Sequence, residues 1–111
     1  MAIANALING DTTLLTVAAS KRYAITNILI CNNENLNPAH EENGITIFDM
    51  HIVKSGDPVS LSNMILNTVQ MPAGETFSLD EETIILEAGD SIVISGESPQ
   101  VLSATVSYME V

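Results

Sequence analysis

The stretch from Thr68 to Gly96 constrains the fold more than any other part of the chain. Short runs rich in Val, Ile, Leu and Thr are separated there by Pro72-Ala-Gly74, Asp80-Glu-Glu82 and Ala88-Gly-Asp90. Proline and glycine preset or permit turn dihedrals, whereas β-branched residues favour a pleated strand. The pattern predicts short strands joined by tight turns, and therefore a β protein.

The first half of the chain continues this pattern. Arg22–Asn32 is its longest β-like run, and the apolar residues at both parities predict a strand that is covered on both faces. Further along, Phe48 and Met50 alternate with Asp49 and His51. That alternation predicts a strand with one buried and one solvated face, with His51 facing outward.

The last run, Val101 to Glu110, places Leu102, Ala104 and Val106 on one side and Ser or Thr on the other, which predicts a strand with one side on the core. Residues 59–67 are interpreted as a loop leading into a strand near Leu66–Met71. Together the runs predict an all-β fold, a single antiparallel β-sandwich or jelly-roll-like domain of about 7–9 strands. Residues 1–10 would form an N-terminal arm or first strand, and residues 11–111 the sandwich.

The segment around Asn9-Gly10 has two interpretations. Asn-Gly is the preferred pair for a two-residue type I′ turn, which predicts a hairpin between residues 6–8 and 12–17. Alternatively, an N-terminal arm precedes the first strand. Because residues 1–7 carry no charged side chain, Ile3 and Leu7 are candidates for contact with a partner. A first core strand is an equally good interpretation of the same residues.

Residues 33–44 show the weakest strand pattern in the chain. Asn, Glu, Pro and Gly dominate, and these residues favour turns or solvent over the interior of a sheet. Long loops often carry function, so Asn35, Leu36, Pro38 and His40 are further candidates for partner contact. A solvated loop without a partner is the alternative, and the composition favours it slightly.

The charge of the chain narrows its possible partners. Three basic residues stand against fourteen acidic ones, which gives a net charge of −11. Such a surface repels phosphate backbones and anionic lipids, so we expect binding neither to nucleic acid nor to membranes. The only cysteine, Cys31, lies in the apolar run Ile28-Leu-Ile-Cys31, and we expect a buried and unreactive thiol there.

The sequence contains no pattern that predicts catalysis. Neither His40 nor His51 accompanies a Gly-x-Ser-x-Gly elbow, and the chain has no phosphate-binding glycine loop or Asp-x-Asp-x-Asp-Gly calcium loop. The turn at Pro72-x-Gly74 resembles one found in cupins, but Phe77 and Leu79 follow it instead of clustered histidines. We therefore expect no enzyme activity, metal or cofactor, whereas a metal-free cupin-like or ligand-binding sandwich remains possible.

Three segments carry a family resemblance. They are Thr16–Asn32, Met71–Leu79 and Ile85–Ile94, and their order spans roughly two-thirds of the chain. They resemble small β-sandwich virion proteins of tailed bacteriophages, in which "Thr-Val-Pro-Ala-Gly-Lys … Leu-Cys-Asn" precedes "Pro-Ala-Gly-Thr … Leu-Glu-Ala-Gly-Asp-x-Ile". One departure is Ala18-Ala-Ser20 in place of the first Pro-Ala-Gly, which bears on the geometry of that turn.

The resemblance implies a structural role without catalytic residues. Members of this group are decoration or tail-type proteins, so we expect a capsid decoration (cement) subunit that binds and stabilises the assembled head. The expected partners are further copies of the chain, in a trimer, and the major capsid protein or other virion proteins. The expected location is the virion, assembled in the host cytoplasm. A tail, neck or baseplate subunit, in contact with a host receptor or not, is the alternative.

Overall fold

The computed structural model describes residues 2–33, 45–80, 84–96 and 102–111, which form nine strands and one 3₁₀ turn. In chain order the elements are β1 (Ala2–Leu7), β2 (Gly10–Thr16), β3 (Arg22–Asn32), β4 (Ile45–Val53), the 3₁₀ turn Leu61–Asn63, β5 (Met64–Pro72), β6 (Thr76–Leu79), β7 (Ile84–Glu87), β8 (Ser91–Gly96) and β9 (Leu102–Glu110).

The strands form two antiparallel sheets. Sheet A has the order β1-β9-β3-β6, with β7 also paired to β3, and sheet B has the order β2-β8-β4-β5. The pairing therefore follows one long antiparallel ribbon that is folded into two sheets. Along this ribbon β1 pairs with β9, β2 with β8, β3 with β6 and β7, and β4 with β5. This is a jelly-roll arrangement. The predicted all-β sandwich is confirmed.

The core lies between the sheets and is almost entirely aliphatic. Leu102, Ala104 and Val106 are buried on β9, as their alternation predicts. From the opposite sheet Phe48 and Met50 point inward, and Phe48 meets the ring of Phe77 edge-on with centroids 5.6 Å apart. With no tryptophan in the chain, close packing of Ile, Leu, Val and Met supplies most of the buried apolar area.

A bulge in β3 accounts for its apolar residues at both parities. The pairing of β3 with β9 shifts register between Ile25 and Asn27, so Ile25 faces the core before the bulge and Ile28 and Ile30 face it afterwards. The prediction of a strand covered on both faces is therefore wrong. Leu29 points away from the core and is 37% exposed.

The predicted hairpin at Asn9-Gly10 is also wrong. β1 pairs with β9 in sheet A, whereas β2 pairs with β8 in sheet B, so the segment carries the chain from one sheet to the other. Ile8 is buried at this crossing and its N–H donates to the carbonyl of Leu102 at 2.8 Å. Burial of the Ile8 side chain in the core favours this crossing over a hairpin in which β1 and β2 would pair with each other. Gly10 nonetheless has the positive φ, 63°, that the sequence indicates.

Candidate interaction surface

One side of sheet A points away from the core and carries no charged group at its centre. In each of its strands the side chains alternate between the core and this side. The strand register aligns the outward residues into three rows, which we call the uncharged face: Ile3, Ser107 and Asn27; Asn5, Thr105, Leu29 and Ser78; and Leu7, Ser103, Cys31 and Thr76.

The structure brings together two of the predicted contact residues. Ile3 is 66% exposed and Leu7 is 49% exposed, and both lie on the outward side of β1, whose inward Ala4 and Ala6 pack against the core. They thus lie on the same side of sheet A as Leu29, with strand β9 between them and Leu29. The other candidates, Asn35, Leu36, Pro38 and His40, lie outside the described residues.

Charged residues in sheet A lie at one end of the uncharged face. Arg22 pairs with Glu87 at 3.3 Å, and Lys21 pairs with Glu110 at 2.9 Å. The hydrogen bond that Lys21 Nζ donates to the Glu110 carboxylate raises the pKa of Lys21 above its ordinary value of 10.5, and the negative charge of Glu110 adds to this effect. Both pairs are solvent-exposed, so they contribute little to folding stability.

Carboxylates in and beside sheet B hold backbone groups in place. Asp49 accepts a hydrogen bond from the N–H of Thr68 at 2.6 Å, where the backbone has a positive φ of 52°. Asp90 accepts from the N–H groups of Ser55 at 3.0 Å and Glu87 at 2.9 Å. These acidic side chains stabilise turns and bulges, which is a structural use of charge.

His51 is buried rather than solvated, so the predicted outward exposure of this side chain is wrong. It does point away from the core, but residues 58–63 cover it and leave it 4% exposed. Its Nδ1 lies 2.8 Å from Oδ1 of Asn63 and 3.1 Å from the carbonyl oxygen of Ser60. The Nδ2 group of Asn63 donates to the carbonyl of Pro58, which fixes the orientation of the amide. His51 Nδ1 must therefore carry the hydrogen and donate.

The thiol of Cys31 is only partly buried. Because the bulge in β3 reverses the parity, Cys31 falls on the uncharged face, opposite Thr76 and Ser103, instead of in the core. The expectation of a fully buried thiol is wrong for this reason.

The segments that carry the family resemblance contact one another. Asn32 donates from Nδ2 to the carbonyl of Met71 at 2.8 Å, and its backbone N–H and carbonyl bond Glu75 and Gly74 at 2.9 and 3.0 Å. Likewise Val17 exchanges backbone hydrogen bonds with the turn at Ala88-Gly-Asp90. Sequence reasoning missed Asn32 and Asp90, although the Pro-Ala-Gly and Ala-Gly-Asp turns beside them were visible. These residues stabilise the fold.

The turn at Ala18-Ala-Ser20 keeps a regular geometry despite its departure from the resembled pattern. The N–H of Lys21 donates to the carbonyl of Ala18 at 3.1 Å. Ser20 adopts a φ of 62°, in the left-handed region that glycine enters without a steric penalty. The glycine of the resembled pattern would suit this position better than the serine present.

The described residues contain no group of three or more His, Cys, Asp or Glu that could hold a metal ion. Within the same residues, no helix has the length and apolar character needed to cross a bilayer. Comparison with family models, curated proteins and solved structures found no match to this chain.

Proposed function

We propose that this protein is a non-enzymatic structural subunit of a tailed-bacteriophage virion, and specifically a capsid decoration subunit that binds the assembled head. The assignment to a tailed-bacteriophage virion rests on the sequence resemblance. The uncharged face carries the structural argument, since it offers a broad contact surface on a strongly acidic protein. Homo-oligomers and contacts with the major capsid protein belong to the same proposal.

The composition of the uncharged face suits burial by a partner. Covering a charged side chain without pairing it costs several kcal/mol, whereas covering Ser, Thr or Asn costs little if the partner provides hydrogen bonds. Leu29, Ile3 and Leu7 add exposed aliphatic area to these polar groups. Depletion of charged residues at the centre of the contact is a common feature of protein interfaces.

The mechanism would be stabilisation by mass action. A subunit that binds the assembled lattice but not free capsid protein stabilises the lattice by RT ln(1 + [L]/Kd) per site, which is about 2.7 kcal/mol at a free concentration of one hundred times Kd. No catalysed step is needed. The acidic remainder of the surface would face solvent and keep the free subunit soluble.

The test is binding to heads that lack this protein. Purified protein should co-sediment with expanded heads at high copy number and raise the temperature at which they are disrupted. Leu29→Glu should weaken binding at least about ten-fold, because it would bury an unpaired carboxylate in the interface. Thr13→Glu is the matched control, since it adds the same charge at an exposed position on sheet B.

Three outcomes would change the proposal. If neither co-sedimentation nor the disruption temperature changes, the protein is not a decoration subunit. Binding to purified tails, necks or baseplates under the same conditions would assign it there. Equal weakening by Leu29→Glu and Thr13→Glu would exclude the uncharged face as the contact surface, provided that both variants retain the thermal stability of the original protein.

A further inference from the structure

The outer edge of β1 differs from the other sheet edges in having none of the usual features that prevent strand pairing. β1 is six residues long and contains no charge, proline, glycine or register shift. At the edges of sheet B, β2 begins with Gly10-Asp11 and contains a bulge, and β5 contains two register shifts and ends at Pro72. At the other edge of sheet A, β6 and β7 have only four residues each. Charges, bulges, proline and short length are the features that protect edges from association.

The hydrogen bonds between β1 and β9 determine which groups of β1 point outward. Ile8 continues the register of β1 and donates its N–H to Leu102, the residue directly opposite. In an antiparallel ladder such bonded positions alternate along the strand. Ala2, Ala4 and Ala6 therefore bond β9, and the N–H and C=O groups of Ile3, Asn5 and Leu7 face the outer edge, where no described strand pairs with them.

We propose that β1 pairs antiparallel with β1 of a second copy of this chain about a two-fold axis at Asn5. In this register Ile3 lies opposite Leu7 of the second copy, and each Asn5 lies opposite the other. Sheet A would then continue across the axis into sheet A of the second copy. This inference deepens the homo-oligomer part of the proposed function and does not depend on binding to a capsid.

The outer edge of β1 is complementary to itself, which favours a second copy over an unrelated strand. Residues 3, 5 and 7 of one copy face residues 7, 5 and 3 of the other, and each opposed pair can exchange both backbone hydrogen bonds. The outward side chains match as well, because Ile3 beside Leu7 forms an aliphatic cross-strand pair on either side of Asn5. The most exposed large side chain of β1, Ile3, would be covered by this contact.

The charge distribution permits this approach between two strongly acidic chains. Each copy has a net charge of −11, so the copies repel at long range. The contact itself involves a strand without charged side chains, beside β9, whose outward Ser103, Thr105 and Ser107 are also neutral. We therefore expect the association to strengthen as ionic strength rises. The edge defines a two-fold contact, in contrast to the trimer expected from the sequence.

Sedimentation of the isolated protein tests the association, and Asn5→Pro tests the register. Proline at this position removes an N–H that faces the second copy and none that bonds β9. Loss of the bonds between the two Asn5 residues should raise the dimer Kd by about thirty-fold, which corresponds to ~2 kcal/mol. Asn5→Ala is the matched control, because it removes the same side chain but keeps the backbone donor, and it should remain dimeric.

A cysteine placed on the axis gives an independent readout. Directly opposed bonded residues have Cα atoms about 5.5 Å apart, which suits a disulfide. In a Cys31→Ser background, Asn5→Cys should yield a covalent dimer on mild oxidation. Thr105→Cys, one strand further from the axis on the same face, should not.

Each result either supports or overturns the antiparallel pairing of β1 with β1 of a second copy. A dimer that dissociates with Asn5→Pro and is cross-linked only through Asn5→Cys supports it. A monomer, a trimer, a dimer unaffected by Asn5→Pro, or equal cross-linking through Thr105→Cys overturns it. Because these experiments contain no heads, their failure leaves the decoration proposal intact, and failure of head binding leaves the dimer intact.

Discussion

The buried amide of Asn32 joins the two sheets, and its replacement has a predictable cost. Asn32 ends β3 in sheet A, and its Nδ2 donates at 2.8 Å to the carbonyl of Met71 in β5 of sheet B. In Asn32→Leu the side-chain volume is similar, but the Met71 carbonyl loses this donor inside the protein. Loss of a buried partner costs about 1–3 kcal/mol. For 111 residues that lowers the melting temperature by about 4 °C per kcal/mol.

Asn32→Asp should be more destabilising than Asn32→Leu at neutral pH. It replaces the donor with a carboxylate that faces the Met71 carbonyl in a fully buried position. Burial raises the folded-state pKa of the introduced carboxyl above its unfolded value of about 3.9. Because the folded-state pKa is raised, the free energy of unfolding of Asn32→Asp is highest at low pH and falls as the pH rises towards the folded-state pKa. The neutral acid can donate its O–H to Met71, whereas the ionised form cannot.

Denaturant unfolding between pH 5 and 8 measures the cost of Asn32→Leu and the pH dependence of the cost of Asn32→Asp. This range lies above the pI of the protein, which is near 4.1. The difference in unfolding free energy between Asn32→Asp and the original protein should grow with pH. Asn27→Asp is the control for the same chemical change on the same strand, because Asn27 faces outward, and its difference should stay nearly constant. The reasoning fails if Asn32→Leu costs less than about 0.5 kcal/mol, within the usual range for surface changes. A pH-independent cost of Asn32→Asp would also contradict it.

Two further predictions concern residues with positive φ. Gly89→Ala and Gly56→Ala both place a side chain at a φ near 85°, which costs about 1–2 kcal/mol. Only at Gly89 would the new Cβ also clash, because it would lie 2.7 Å from the Cβ of Ser55. Gly89→Ala should therefore cost about 1–3 kcal/mol more than Gly56→Ala in thermal unfolding, and equal costs would refute the steric argument. Ser20→Gly should stabilise the protein by about 0.5–1 kcal/mol by relieving its φ of 62°, and a lower melting temperature would show that the serine makes a compensating contact.

The sequence predicts the fold class well because the relevant signals are local. Period-two alternation in the final run identifies the inward side chains of β9, and glycine with positive φ occurs at Gly74 and Gly89, in the turns that Pro-Ala-Gly and Ala-Gly-Asp indicate. Local signals do not predict which of the two sheets a strand joins. Asn9-Gly10 is a strong local signal for a hairpin, yet burial of Ile8 sends the flanking strands into different sheets. A long-range packing preference overrides the local one here.

The errors within strands also have a physical cause. A bulge adds one residue and reverses which parity faces the core, and the sequence around Thr26 does not indicate the bulge. The apolar run Ile28-Leu-Ile-Cys31 therefore predicts a buried thiol, whereas the bulge leaves Cys31 only partly buried and Leu29 exposed. The alternation places His51 correctly on the side away from the core but does not show that residues 58–63 cover it, because the side-chain hydrogen bonds of Asn63, one accepted and one donated, position that segment.

The uncharged face could not be predicted from the sequence for a related reason. Leu29, Ser78 and Thr105 become neighbours only through strand pairing, and in each strand the outward residues are an ordinary period-two set. What distinguishes the surface is the charge around it. Carboxylates such as Asp49 and Asp90 bond backbone N–H groups of bulges and turns elsewhere in the fold. The acidic excess thus serves local structure in one part of the sandwich, while the centre of one sheet remains neutral and available for contact.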